Sequence, residues 1–145
     1  MYNKLIYGKQ MTEILPGIHQ LKIPIANNPL GHTNIYLLQG DGGYLLIDAG
    51  IQSDDASTAL RQQLAATGID LSRIATLIIT HGHGDHIGLA GYVREITGAR
   101  IALHAVEIAR LPAALQNPMA RWTGDWLRSS GIPDTAPADC VTGRQ

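Results

Sequence analysis

The sequence predicts a layered α/β domain, and three observations carry that expectation. Short β-prone segments open the chain, strand and helix patterns alternate from residue 53 onward, and an apolar β-branched run leads straight into a histidine-rich segment. No internal repeat and no low-complexity tract interrupts that order.

Ile14–Pro24 mixes apolar and polar residues around Pro16-Gly17 and is expected to form an irregular edge strand. After the loop Asn27-Asn28-Pro29-Leu30-Gly31, the runs Asn34–Leu38 and Tyr44–Ile47 flank Gln39-Gly40-Asp41-Gly42-Gly43, a hairpin pattern. The second strand ends in Asp48-Ala49-Gly50. Ser53 then offers an N-cap, and Asp54 and Asp55 a negative first turn, for a helix to about Thr67 with Leu60 and Leu64 inward and Gly68 as its stop. Ala75–Thr80 is too apolar to face water on either side, which predicts a central strand. A helix from about Ile87 to Thr97, a strand at Arg100–Leu103 and a helix over Ala105–Leu111 stopped by Pro112 follow. Asn117-Pro118 opens a last helix, with Met119, Trp122 and Trp126 on one packing face. The expected organisation is thus an extension over 1–13, a domain over 14–130 and a weakly structured tail over 131–145.

With 45% hydrophobic and 16% charged residues, the 145-residue chain can bury a core without staples. Its formal charge of -1, with no cluster of Lys or Arg, gives no electrostatic footprint for nucleic acid. The one cysteine, Cys140, excludes an internal disulfide framework and fits a reducing, cytoplasmic setting. Residues 1–13 do not read as a signal peptide, and no apolar run approaches a membrane-spanning length.

The chemistry concentrates at His81-Gly82-His83-Gly84-Asp85-His86, which holds three of the chain's six histidines. Chance would place His-x-His-x-Asp-His in about one chain in two thousand of this composition, so the pattern calls for a cause. Imidazole nitrogens and carboxylate oxygens are ligands for zinc, and they must converge from several directions. His81 and His83 leave the end of the expected central strand two residues apart, and Gly82 and Gly84 allow a tight backbone turn. Asp85 and His86, entering the next helix, can serve a second position alongside. Taken singly, Asp85 would be only an N-cap and His86 a first-turn surface residue; together with His81 and His83 they point to metal.

The strand Ala75–Thr80 with His81–His86, preceded by Leu45-Leu46-Ile47-Asp48-Ala49-Gly50, resembles the metallo-β-lactamase-fold superfamily over about Ile14 to Leu111. The resemblance implies the N-terminal half of an αβ/βα sandwich with a metal site at one edge. It implies that His81 and His83 bind a first ion, and Asp85 and His86 a second, with Asp48 supporting the loop through hydrogen bonds. The ion implied is zinc, with iron or manganese also compatible with these donors. A metal-bound water would attack an ester, thioester, lactone or related bond of a small-molecule substrate, and Asp85 would orient that water or take its proton. Histidine at both 83 and 86 is more like the thioesterase, lactonase, nuclease and general hydrolase branches than the flavo-diiron branch. Iron-dependent sulfur dioxygenases share the motif and remain an alternative.

That family completes its site with a Gly-His, an Asp and a His further downstream; here Asp125, Asp134 and Asp139 sit in no matching motif. After His86 the only histidine is His104, which reads as a hydrogen-bonded structural residue. His32 has equal claims as a cleft residue and a capped loop, and His19 reads as solvent-facing. Three states remain open: a fragment of a longer hydrolase, a half-module completed by a second polypeptide or by self-association, and a non-catalytic metal-binding remnant.

Overall fold

The computed structural model describes residues 11–115. One sheet of six strands runs in chain order: β1 (Thr12–Leu15), β2 (Ile18–Pro24), β3 (His32–Gly40), β4 (Gly43–Ile47), β5 (Ile74–Ile79) and β6 (Arg100–Leu103). β1 to β4 form an antiparallel meander, and β5 and β6 then add parallel to β4. The parallel joins need crossovers, supplied by α1 (Asp54–Ala66) before β5, and by α2 (Gly84–Ile87) and α3 (Ala90–Thr97) before β6. A fourth helix, α4 (Ala105–Leu115), follows β6. The layered α/β expectation holds.

Because β4, β5 and β6 advance in one direction across the sheet, right-handed crossovers place both connections on the same face. That face is the core. Leu21, Ile23, Ile35, Leu37, Leu46, Leu77 and Ile79 are buried from the strands, packed with Ala56, Leu60 and Leu64 of α1 and Ala90 and Val93 of α3. Each fully buried Leu or Ile contributes about 1.5–3 kcal/mol relative to exposure. The opposite face, with Tyr36, Leu38, Leu45 and Ile47 half-buried and Ile78 37% exposed, has no helix over it among the described residues. β5 was expected to bury both faces; here only one is covered.

α1 follows its sequence signals closely. Ser53 accepts the Ala56 N–H at 3.1 Å, and the buried residues 56, 59, 60, 63 and 64 form one stripe. Gln63 in that stripe is fully buried, and its amide pairs with the Lys22 backbone in both directions, accepting N–H at 3.1 Å and donating to C=O at 2.8 Å. β1 stops pairing with β2 at Gln20, so Gln63 satisfies the backbone groups that the strand leaves unpaired at Lys22.

Three expected elements differ. Ile14–Pro24 is not a single edge strand: Pro16-Gly17 is a hairpin turn, β1 takes the edge, and β2, with half-buried His19, is interior. The helix expected over Ile87–Thr97 starts earlier, at Gly84, and breaks at Gly88-Leu89. The break has a packing cause. The Gly88 backbone lies against Gly50 O and Gln52 N, while the Leu89 N–H donates to Gly50 O at 3.2 Å and the Ala49 N–H to His86 O at 2.7 Å. A side chain at 88 would collide with that loop. Lastly, α4 continues through Pro112 to Leu115, despite the backbone donor that proline removes.

The helix expected after Asn117 and the tail over 131–145 lie outside the described residues. No helix among those described is long and apolar enough to cross a membrane.

Replacing Gln63 with Leu keeps the volume but orphans the Lys22 N–H and C=O. Gln63→Leu is expected to lose roughly 1–3 kcal/mol of stability, read from the midpoint of urea unfolding at unchanged m-value.

Candidate metal centre

The parallel pairing of β4 and β5 brings their carboxyl ends side by side, with Ile47 opposite Ile78. Asp48 follows one end and Thr80-His81 the other, at the position where open α/β sheets usually build sites. Asp48 is 4% exposed and has φ 61°, a left-handed conformation that Asp tolerates better than most residues. Its N–H still donates to Ile78 O at 2.8 Å, so the strand ladder runs up to the turn that aims its carboxylate.

That carboxylate is surrounded by donors. Oδ1 accepts the Thr80 N–H at 2.8 Å; the Thr80 hydroxyl lies 2.8 Å from Oδ2 and 3.0 Å from Oδ1; and His86 Nδ1 lies 2.8 Å from Oδ2. A carboxylate only accepts, so His86 Nδ1 carries a proton and a neutral ring has its free lone pair on Nε2. The Thr80 hydroxyl has one hydrogen, committed to Asp48. It therefore accepts from His81 Nδ1, 3.0 Å away, which leaves His81 Nε2 free as well. One buried acid sets the tautomers of two histidines, directly for His86 and through Thr80 for His81.

The free nitrogens face other atoms of the motif with lone pairs to offer an ion. His81 Nε2 lies 3.0 Å from His83 Nδ1, and His86 Nε2 lies 3.6 Å from Asp85 Oδ2. The His81 and His86 rings are 4.2 Å apart between centroids, so the two pairs adjoin. Nitrogens sharing a zinc at 2.0–2.1 Å stand about 3.0–3.4 Å apart, so the first pair fits one ion without rearrangement. Among the described residues no three His, Cys, Asp or Glu side chains gather around one point, and the donors stand as two pairs.

Two further contacts set this loop. The Thr33 hydroxyl, on a 6% exposed residue at the start of β3, lies 3.4 Å from Asp85 Oδ2. Glu107 Oε2 in α4 accepts the Gly82 N–H at 3.0 Å, and that bond holds the Glu107 carboxyl below its ordinary pKa, with the nearby Arg110 and His81 adding to the effect. Local sequence reasoning missed Thr80, Thr33 and Glu107. Thr80 adjoins the motif in sequence, whereas Thr33 and Glu107 lie 52 and 25 residues from their partners and carry no local signal. Of the other histidines, His104 Nδ1 accepts the Val106 N–H at 3.2 Å at the start of α4, and His32 opens β3 half-buried.

A family model for the metallo-beta-lactamase superfamily matches residues 28–136. The chain belongs to that superfamily. Over 60 residues it is 45% identical to the probable metallo-hydrolase YqjP of Bacillus subtilis, covering 41% of this chain and 18% of that protein. It is also 45% identical over 40 residues to a hydroxyacylglutathione hydrolase of Cereibacter sphaeroides, covering 28% and 16%. Among solved structures it is similar to the metallo-beta-lactamase family protein TTHA1429 from Thermus thermophilus, at 34% identity and TM-score 0.64 over 83% of this chain and 40% of that one. The matched segments thus cover no more than 40% of the length of any of these superfamily relatives.

Two outcomes test this geometry. Asp48→Asn keeps the size but replaces one acceptor oxygen with a donor, so Thr80 or His86 loses its partner. A loss of roughly 1–3 kcal/mol in unfolding free energy is expected. For Glu107 the sign follows from its lowered folded pKa: the bond to Gly82 is intact above the ordinary value of 4.5 and is lost as pH falls through the lower folded value. In metal-free protein the Gly82 amide resonance should therefore titrate with a midpoint below 4.5.

Proposed function

We propose that this chain carries the first four metal ligands of a metal-dependent hydrolase, with His81 and His83 as one pair and Asp85 and His86 as the other. The supporting observation is the pair His81 Nε2 and His83 Nδ1, 3.0 Å apart, with the His81 tautomer set by Thr80 and Asp48. Zinc is the ion best matched to this imidazole-rich set, and iron or manganese is accepted by the same donors. When bound, such an ion lowers the pKa of its water to about 7 and polarises a substrate carbonyl.

The chain's own residues supply the rest. Thr33 and His86 both stand against Asp85 Oδ2, which fixes that carboxylate for an incoming water. Asp85 orients that water and takes its proton. Asp48 keeps His86 and His81 from presenting N–H groups where lone pairs are needed. No serine or cysteine nucleophile is required. The substrate class is an ester, thioester or lactone, a reading supported by the acyl hydrolase named among the relatives. Two donors per ion leave positions for further ligands, which other segments of a longer protein or a second copy of the chain would fill.

Elemental mass spectrometry of the purified chain and of His83→Ala tests the reading, with hydrolysis of a thioester, lactone and ester panel measured alongside. One or two bound equivalents are expected in the wild type, with loss of metal in the variant and a fall in turnover of about hundredfold or more. Absence of metal in the wild type, or undiminished metal in His83→Ala, would contradict it. Bound iron with oxygen uptake on a persulfide would move the chain to oxidative chemistry.

A further inference from the structure

The loop that carries His81 and His83 has little restraint of its own. Gly82 between them and Gly84 after them have no side chain to pack, and glycine explores more backbone conformations than any other residue. A pair of nitrogens held 3.0 Å apart on such a segment needs a restraint from elsewhere.

α4 supplies one. Its first turn is fixed by His104, whose carbonyl accepts the Glu107 N–H at 2.9 Å and the Ile108 N–H at 3.1 Å, and whose ring accepts from Val106. From that turn Glu107 Oε2 reaches the Gly82 N–H at 3.0 Å, while Oε1 is held by Arg110 Nη1 at 3.0 Å. Both carboxylate oxygens are engaged, which leaves Glu107 as an anchor rather than a ligand. The fit is also steric: a Cβ on residue 82 would stand 3.1 Å from Cδ2 of buried Leu111 and 3.5 Å from Glu107 Oε2, so α4 packs directly on the glycine backbone.

We propose that Glu107 is a positioning residue of the metal loop: its hydrogen bond from Gly82 N–H fixes the peptide between His81 and His83 and so sets the separation of their facing nitrogens. The proposal rests on the metal reading above. The contact is local to the loop backbone, so its loss acts on the geometry of the histidine pair more than on the core beneath α1 and α3.

The test compares the full chain with Glu107→Gln, Glu107→Asp, Glu107→Ala and His83→Ala. Zinc affinity is measured by competition with a chromophoric chelator, and Gly82 amide exchange by NMR in the metal-free proteins. Glu107→Gln retains both reach and an acceptor oxygen, and should bind zinc within about threefold of the wild type, while Asp, one methylene short, and Ala should weaken it about tenfold to hundredfold. Gly82 exchange should be slow in the wild type and Gln forms, and fast in the Asp and Ala forms. Wild-type affinity in both Asp and Ala, or equal losses in Gln and Asp, would overturn the proposal. Unchanged Gly82 exchange in Asp would do the same even if Ala fails to fold. If His83→Ala binds zinc like the wild type, the metal reading fails instead, and the exchange data alone decide whether Glu107 holds the loop.

Discussion

The candidate site depends on one buried carboxylate shared between two strand ends. Asp48 closes β4, yet its hydrogen bonds go to Thr80 at the end of β5 and to His86 in α2. A buried acid without donors would cost several kcal/mol, and here the donors are the backbone and side chains that carry the histidine motif. Removing the acid would therefore release both the loop and the tautomers of two histidines.

The topology makes this sharing possible. Only a parallel join puts two strand carboxyl ends together, and α1 is the crossover that achieves it. The loop after β4 is then fastened to α2 by backbone bonds from Ala49 to His86 and from Leu89 to Gly50, with Gly88 permitting the approach. α4 adds the contact from the other side, through Glu107 and Leu111. The histidine loop is thus held by the preceding strand end, by its own following helix and by the helix beyond β6.

Much of the fold was legible because its signals are local. Ser53 and Gly68 bracket α1, the glycines between Leu38 and Tyr44 mark the β3–β4 hairpin, and the apolar run before His81 is β5. The misses have non-local causes. The break at Gly88 comes from contact with residues 50 and 52, and the interior placement of β2 depends on a partner at Thr12–Leu15 that Pro16-Gly17 folds back. The apolar character of β5 predicts burial on two faces, whereas Ile78 on its second face is 37% exposed. For the site, the sequence offered the donor residues as a contiguous motif. It offered no route to Thr33 or Glu107, because a hydrogen bond across 52 or 25 residues leaves no spacing rule.

The tautomeric states of His81 and His86 in the metal-free protein bear most directly on this arrangement. Long-range nitrogen–proton NMR correlations distinguish the two neutral forms of each ring. If Asp48 governs the site, both rings at mildly alkaline pH carry the proton on Nδ1 and leave Nε2 bare, and Asp48→Ala mixes the two forms. Protonation of Nε2 on His86 with a bare Nδ1 facing Asp48, or ring signals unchanged by Asp48→Ala, would contradict it.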